Sequence, residues 1–171
     1  MNIQDFNTKV YPLKDKIFRI ARRMLGQTEE AEDLVQEVFI RLWKKKDELD
    51  KYRSLEALAI ITAKNLSLDR IKSRKLYFEN WDDQRKYIEG FAEKTVPEHS
   101  GLVSGVQEAM KSLPDLPRLI MHLRDIEGYE LEEIAGITGM QENAVRVALS
   151  RARKRIRELM IATKTYEYNR N

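Results

Sequence analysis

Nowhere along this chain do apolar and polar residues alternate with a period of two for more than a few positions, whereas apolar spacing of three and four recurs throughout. A half-buried strand needs the first pattern and a helix docked on a core needs the second. Glycine and proline cluster at breaks in that spacing: Gly26, then Gly90, Pro97, Gly101 and Gly105, then Pro114 and Pro117, then Gly128, Gly136 and Gly139. The chain therefore reads as all-α.

Leu13, Ile17, Ile20, Ala21, Met24 and Leu25 form a first stripe, and Gly26 stands where a helix end wants a left-handed residue. Thr28 is the expected N-cap of a second helix, with Glu29, Glu30, Glu32 and Asp33 suiting its positive dipole end. That helix carries Leu34, Val35, Val38, Phe39, Leu42 and Trp43. A third spans residues 55–76, with Leu58, Ile61, Leu66, Leu68 and Ile71 as its apolar members. Residues 77–103 are acidic and aromatic with weak periodicity; they read as a flexible linker with a helical turn near Asp83 to Tyr87. Helical spacing resumes at about Val103 through Val106, Ala109, Met110 and Leu113, and restarts at Pro117 as far as a turn at Glu127 and Gly128. The expected architecture is two small helical domains, 1–76 and 104–171, joined by the linker.

Charge is distributed unevenly. Overall 31 basic against 28 acidic side chains leave +3, but Arg146 to Arg157 hold six basic residues and no acid. Absence of cysteine excludes disulfides and thiolate metal sites, and no run of apolar residues is long enough for a membrane span. The N-terminus lacks a signal-peptide core. A soluble cytoplasmic protein is expected, without membrane insertion.

The segment from Leu131 to Ser150, LEEIAGITGMQENAVRVALS, has the pattern of a helix-turn-helix. Two steeply crossing helices need a small residue at the contact and a flexible one in the turn, here Ala135 and Gly139. Ile134, Met140, Val145 and Ala148 supply the seam, with Thr138 filling it less well. On the second helix, Val145, Ala148, Leu149, Ala152, Ile156, Leu159 and Met160 form the buried stripe. Arg146, Ser150, Arg153, Lys154 and Arg157 form the exposed one. In a recognition helix the first residues, here Glu142, Asn143, Arg146 and Val147, meet base edges, and Arg146 suits bidentate reading of guanine. Arg151, Arg153, Lys154 and Arg155 suit backbone phosphates.

A second basic stretch, Lys64 to Lys75, contains Lys64, Arg70, Lys72, Arg74 and Lys75 as phosphate candidates and Asn65 as a base or phosphate contact; a solvated face explains it equally well. Catalysis has little support. His99 and His122 read as incidental, no glycine-rich phosphate loop occurs, and Glu29 to Asp33 is explained by the helix dipole without a metal. No cofactor is expected.

In this order the motifs resemble the bacterial sigma-70 family, in its small extracytoplasmic-function group, across nearly the whole chain. Asp33-Leu-Val-Gln-Glu-Val-Phe-Ile-Arg-Leu-Trp43 is similar to the helix that docks on the β′ clamp helices of RNA polymerase. Asn65-Leu-Ser-Leu-Asp-Arg70 with its basic tail is similar to the reader of the minus-ten element, and the helix-turn-helix to the reader of the minus-thirty-five element. The resemblance implies core contacts by Asp33, Gln36, Glu37, Phe39, Arg41 and Trp43. It implies minus-ten contacts by Tyr52, Arg53, Ser54, Lys64, Asn65, Arg70, Lys72 and Arg74, and minus-thirty-five contacts by Glu142, Asn143, Arg146, Val147, Ser150, Arg151, Arg153 and Lys154. Implied partners are core RNA polymerase, through its β′ clamp helices and β flap, promoter DNA and an anti-sigma protein. Leu58 stands where many members carry a tryptophan, so no aromatic wedge is assigned there. The other reading is a two-domain transcriptional regulator whose N-terminal bundle senses a ligand or dimerises.

Overall fold

The computed structural model describes residues 1–79 and 102–168, and every regular element among them is helical. The expected linker turn near Asp83 to Tyr87, and His99, lie outside the described residues. Helix α1 (Ile3–Lys9) starts where the Asn2 side chain accepts a hydrogen bond from Asp5 N at 2.8 Å. A short 3-10 turn at Tyr11–Leu13 leads into α2 (Lys14–Leu25), which stops at Gly26 with φ 83°. Only glycine adopts that conformation without cost. Helix α3 (Thr28–Lys44) corrects the expected cap: Thr28 is already inside the first turn, and Gln27 occupies the cap position without a side-chain bond. Helix α4 (Leu55–Glu79) begins where the Ser54 hydroxyl accepts from Ala57 N at 3.0 Å.

The C-terminal half contains α5 (Leu102–Lys111), α6 (Asp115–Met121), α7 (Leu131–Thr138) and α8 (Glu142–Tyr168). Helix α6 begins two residues before Pro117, which falls in the first turn where a missing N–H costs nothing. It continues into a π turn, His122–Ile126, in which Glu127 N donates to the His122 carbonyl. Helix α7 opens with a capping box between Glu130 and Glu133 and ends at Gly139, φ 74°. Both features follow from short-range chemistry, reciprocal satisfaction of orphan amides and a left-handed stop.

Three groups of buried side chains hold these helices. The first is confined to the N-terminal half, with Ile17, Leu34, Val38 and Ala63 among its members and Phe6 of α1 at its edge. Another joins α5 to α8 through Ala109, Met110, Leu113, Ala152 and Ile156. The remaining group is shared between the halves: Ile20 and Met24 of α2 and Ile60 of α4 pack with Leu119, Ile120, Leu123, Ile134, Ile137, Val145 and Leu149. Ile20, Met24 and Ile60 are 0%, 2% and 1% exposed. Returning each to water costs about 1.5–3 kcal/mol, so the halves cohere through apolar burial as well as through the chain that links them.

Candidate nucleic-acid interface

Helices α7 and α8 meet across the Gly139 turn as the spacing requires. Ile134 and Val145 are fully buried, and Ala135, Met140 and Ala148 are packed against them. The Thr138 hydroxyl, a poor seam residue by polarity, donates back to the Ile134 carbonyl at 2.7 Å and so brings no unsatisfied group into the contact. Along α8 the buried stripe is Val145, Leu149, Ala152 and Ile156, and the complementary side is open.

Every residue expected to read the upstream element is exposed: Glu142, Asn143, Arg146, Val147, Ser150, Arg151, Arg153 and Lys154. Arg146 donates to Glu142 one turn earlier at 2.8 Å, an exposed pair that competes weakly with a base or phosphate. Arg153 is held by Asp125 of the π turn, its Nε 3.1 Å from Oδ2, and that bonding raises its pKa. Asp125 thereby aims Arg153, a contact that sequence reading missed because the partners lie on different elements. Arg151 and Arg157 are exposed and in no ion pair among the described residues.

The N-terminal basic stretch is disposed otherwise. Asn65 and Lys72 are exposed, as are Tyr52 and Arg53 in the loop before α4. Ser54 is exposed too, but its hydroxyl caps α4. Arg70 donates to the Glu30 carbonyl and to the Glu37 carboxylate, both at 3.0 Å, and Arg74 pairs with Glu30. The phosphate role expected of Arg70 and Arg74 therefore competes with ion pairs that fasten α4 to α3. Lys64 donates to the Ile137 carbonyl of α7 at 3.0 Å, and burial lowers its pKa.

On α3 the exposed stripe is Asp33, Gln36, Ile40, Arg41 and Lys44. Glu37 lies between Arg70 and Arg41, accepting from Arg41 at 2.7 Å; the Arg70 bond, followed by that from Arg41, outweighs desolvation and holds its pKa below the usual carboxylate range. Phe39 and Trp43, expected to face polymerase, are half-buried against α1 and its following turn. The Phe6 ring lies edge-on to Trp43 at 5.1 Å and to Phe39 at 6.3 Å, and Tyr11 is 6.0 Å from Phe39. The large apolar side chain that does face outward is Ile40, 54% exposed. Its spacing from Asp33, Gln36 and Glu37 was the available signal.

A polar seam borders the shared core. Arg19 of α2 grips Glu127 with two bonds, at 2.7 and 2.8 Å. Those bonds keep the Glu127 carboxyl below its ordinary range although its side chain is only 4% exposed. Lys16 donates to Glu56 at 2.6 Å and to the Tyr129 hydroxyl at 3.0 Å, and Tyr129 in turn bonds Glu56. Burial, then the Glu56 contact, pushes the Tyr129 hydroxyl up to about 12. Arg118 donates to the Met24 carbonyl across the same seam. His122, expected to be incidental, is 2% exposed beside Arg23 and Glu127, and burial followed by the Arg23 charge drives its pKa down to about 4. Its Nε2 is 3.2 Å from Glu127 Oε1 but out of line for a hydrogen bond. Among the described residues no acidic, histidine or cysteine cluster has the arrangement of a metal site.

Comparison with known proteins covers both halves. Residues 12–77 match the family described as Sigma-70 region 2, and residues 105–156 match Sigma-70, region 4. The chain is 31% identical over 155 residues to the ECF RNA polymerase sigma factor SigW of Bacillus subtilis (strain 168), an alignment spanning 85% of this chain and 83% of the relative. Its fold is similar to that of the sigma factor RpoE in complex with the anti-sigma factor NepR from Bartonella quintana, with TM-score 0.77 and 21% identity over 92% of this chain and 98% of that one. It is also similar to CnrH in complex with the cytosolic domain of CnrY, with TM-score 0.68 and 21% identity over 94% of this chain and 90% of that one.

Proposed function

The chain belongs to the extracytoplasmic-function group of the sigma-70 family, a regulatory DNA-binding protein that directs promoter-specific transcription initiation, and we propose the following division of labour among its residues. Residues 1–76 bind core polymerase and the minus-ten element, residues 77–103 connect, and residues 104–171 bind the minus-thirty-five element. The protein has no catalytic centre of its own and acts in the cytoplasm; no described helix is long and apolar enough to cross a membrane.

The observation that carries this reading is the open face of α8, where six basic side chains and no acid lie between Arg146 and Arg157 on a helix preceded by a well-formed turn. Arg146 with Glu142, Asn143 and Val147 reads bases, while Ser150, Arg151, Arg153 and Lys154 hold phosphates. Asn65, Lys72, Tyr52 and Arg53 are the minus-ten contacts that solvent exposure favours. Lys64 joins them when its bond to Ile137 is released. Ser54 contributes by capping α4, and Arg70 and Arg74 by pinning α4 to α3. Asp33, Gln36, Ile40 and Arg41 form the polymerase face, with Glu37 oriented by two arginines behind it and Phe39 and Trp43 supporting it from α1. A regulator with an N-terminal sensing bundle would have no use for this second, promoter-type half.

Regulation by an anti-sigma protein is part of the proposal, supported by the two similar folds, each of them solved in a complex. Run-off transcription with core polymerase on templates drawn from a promoter selection tests the whole reading. Promoter-dependent transcripts are expected only when this chain is added, and their absence on every selected template would reject it.

A further inference from the structure

The open face of α8 is polar and basic, and Val147 interrupts it. This side chain is 42% exposed, with Asn143, Arg146, Ser150, Arg151 and Lys154 exposed around it. Successive residues turn by about 100° around an α-helix, so Val147 projects about 190° from the mean direction of the buried Val145, Leu149, Ala152 and Ile156. It therefore stands at the crest of the face, one turn after Asn143 and one turn before Arg151. We infer that Val147 reads the C5-methyl group of a thymine in the minus-thirty-five element, a base preference carried by apolar contact rather than by hydrogen bonding. The inference rests on the promoter-reading assignment above.

The chemistry of the side chain selects the base. Valine has nothing to donate or accept, so against an adenine, guanine or cytosine edge it leaves polar groups without partners. Thymine alone presents a methyl group in the major groove, and the O4 acceptor beside that methyl remains for a neighbouring donor such as Asn143 or Arg146. Branching at Cβ confines valine to essentially one rotamer in a helix, so the two methyls of Val147 are fixed before DNA arrives. The long basic side chains around it must instead give up rotamer freedom to hold a contact. A docked protein would need the apolar surface to continue, and it does not. The other large apolar side chain exposed among the described residues of α8 is Ile161, fourteen residues and about 21 Å further along the helix. The basic surround suits a polyanion.

Replacing thymine by deoxyuridine removes that methyl and keeps the base pair. The test titrates the holoenzyme against a selected two-element promoter in which the thymines of the minus-thirty-five element, on either strand, are replaced one at a time. Affinity is read by competition in fluorescence anisotropy. One replacement should weaken binding about fourfold, the effect of removing one methyl from an apolar contact. Val147→Ala should weaken binding to the thymine duplex about as much and should be indifferent to the replacement, while Val147→Ile should keep the sensitivity. Alanine at an exposed helical position favours the fold, so the loss reports the contact. A methyl effect that persists in Val147→Ala would overturn the inference, because the methyl then acts through groove shape. So would the absence of any thymine whose methyl matters, and a loss in Val147→Ala on that background would assign the side chain to a protein contact. If the parent still prefers the matched to a scrambled upstream element after either result, only the Val147 inference falls. A parent that does not separate those two elements loses the promoter-reading assignment as well.

Discussion

Helices α4 and α8 both carry dense basic charge, yet the fold uses it in opposite ways. On α8 the arginines point to solvent and the helix is buried along one stripe only, so charge and packing occupy separate faces. On α4, neighbours on several sides claim Lys64, Arg70 and Arg74 for Ile137, Glu37 and Glu30. A basic residue on α8 thus stays exposed to DNA even where Glu142 or Asp125 pairs with it, whereas one on a central helix is available only after the fold has taken what it needs. Arg146→Ala is the largest expected separation between the two. Loss of a bidentate base contact costs about 1–3 kcal/mol, roughly tenfold to a hundredfold in affinity for the upstream element, with little change in melting temperature. Fluorescence anisotropy on matched and mismatched duplexes measures it, and equal losses on both would demote Arg146 to a phosphate contact.

The junction between the regions offers the next effect. His122 is held neutral, with a pKa of about 4 against 6.5 in an unfolded chain, by burial and the Arg23 charge; Arg19 adds to the latter and Glu127 opposes it. The unfolded state therefore takes up a proton first as pH falls, and stability that is complete above pH 6.5 drains away between 6.5 and 4. Between pH 7.5 and pH 5 the loss from this group is about 2 kcal/mol. The Glu127 and Glu56 carboxylates, both held below their ordinary range, lose stability in the same direction at lower pH. Urea titrations at the two pH values should show the loss in the parent and little of it in His122→Leu, and parallel behaviour of the two proteins would remove His122 as the source.

Much of this is legible in the sequence alone. The seam residues Ile134 and Val145, the left-handed Gly26 and Gly139, and the exposed face of α8 all follow from local spacing, because a helix with one buried side writes its orientation into a period of 3.6. Three kinds of information do not lie in the spacing. Asp125 aims Arg153 and Glu30 takes Arg74 across elements far apart in sequence, and nothing local announces such partners. Phe39 and Trp43 share the α3 motif with Gln36 and Glu37 but turn toward Phe6, a residue of a short helix whose weak pattern gives no hint of a packing role. The cohesion of the two halves depends on where α2 keeps a second apolar side, Ile20 and Met24, beyond the side used by its own bundle.

Arg70→Ala tests the α4 side of the comparison at a smaller scale. Removing the guanidinium leaves Glu37 with Arg41 alone and frees the Glu30 carbonyl, in a partly exposed setting where about 1 kcal/mol of stability is the expected cost. Binding of core polymerase should weaken as well, because Glu37 loses one of its two orienting partners. Arg70→Lys keeps the charge but not the fork that reaches both acceptors, so it should recover only part of either effect. A stable Arg70→Ala protein with a purely electrostatic DNA defect would instead return Arg70 to the phosphate contacts.

Lys72 sharpens the comparison most finely, since it is the exposed neighbour of that fastening residue on the same helix. Lys72→Ala should leave folding stability within about 0.5 kcal/mol, as at ordinary surface positions. If Lys72 touches a minus-ten phosphate, its loss reduces the slope of log affinity against log salt by about 0.9 on a duplex and about 0.7 on a single strand. Measuring that slope on a double-stranded and on a pre-melted minus-ten template therefore reports both whether the ammonium meets DNA and which form it meets. An unchanged slope on both would mean that α4 reads DNA through Asn65 and the preceding loop, with its remaining basic charge devoted to the fold.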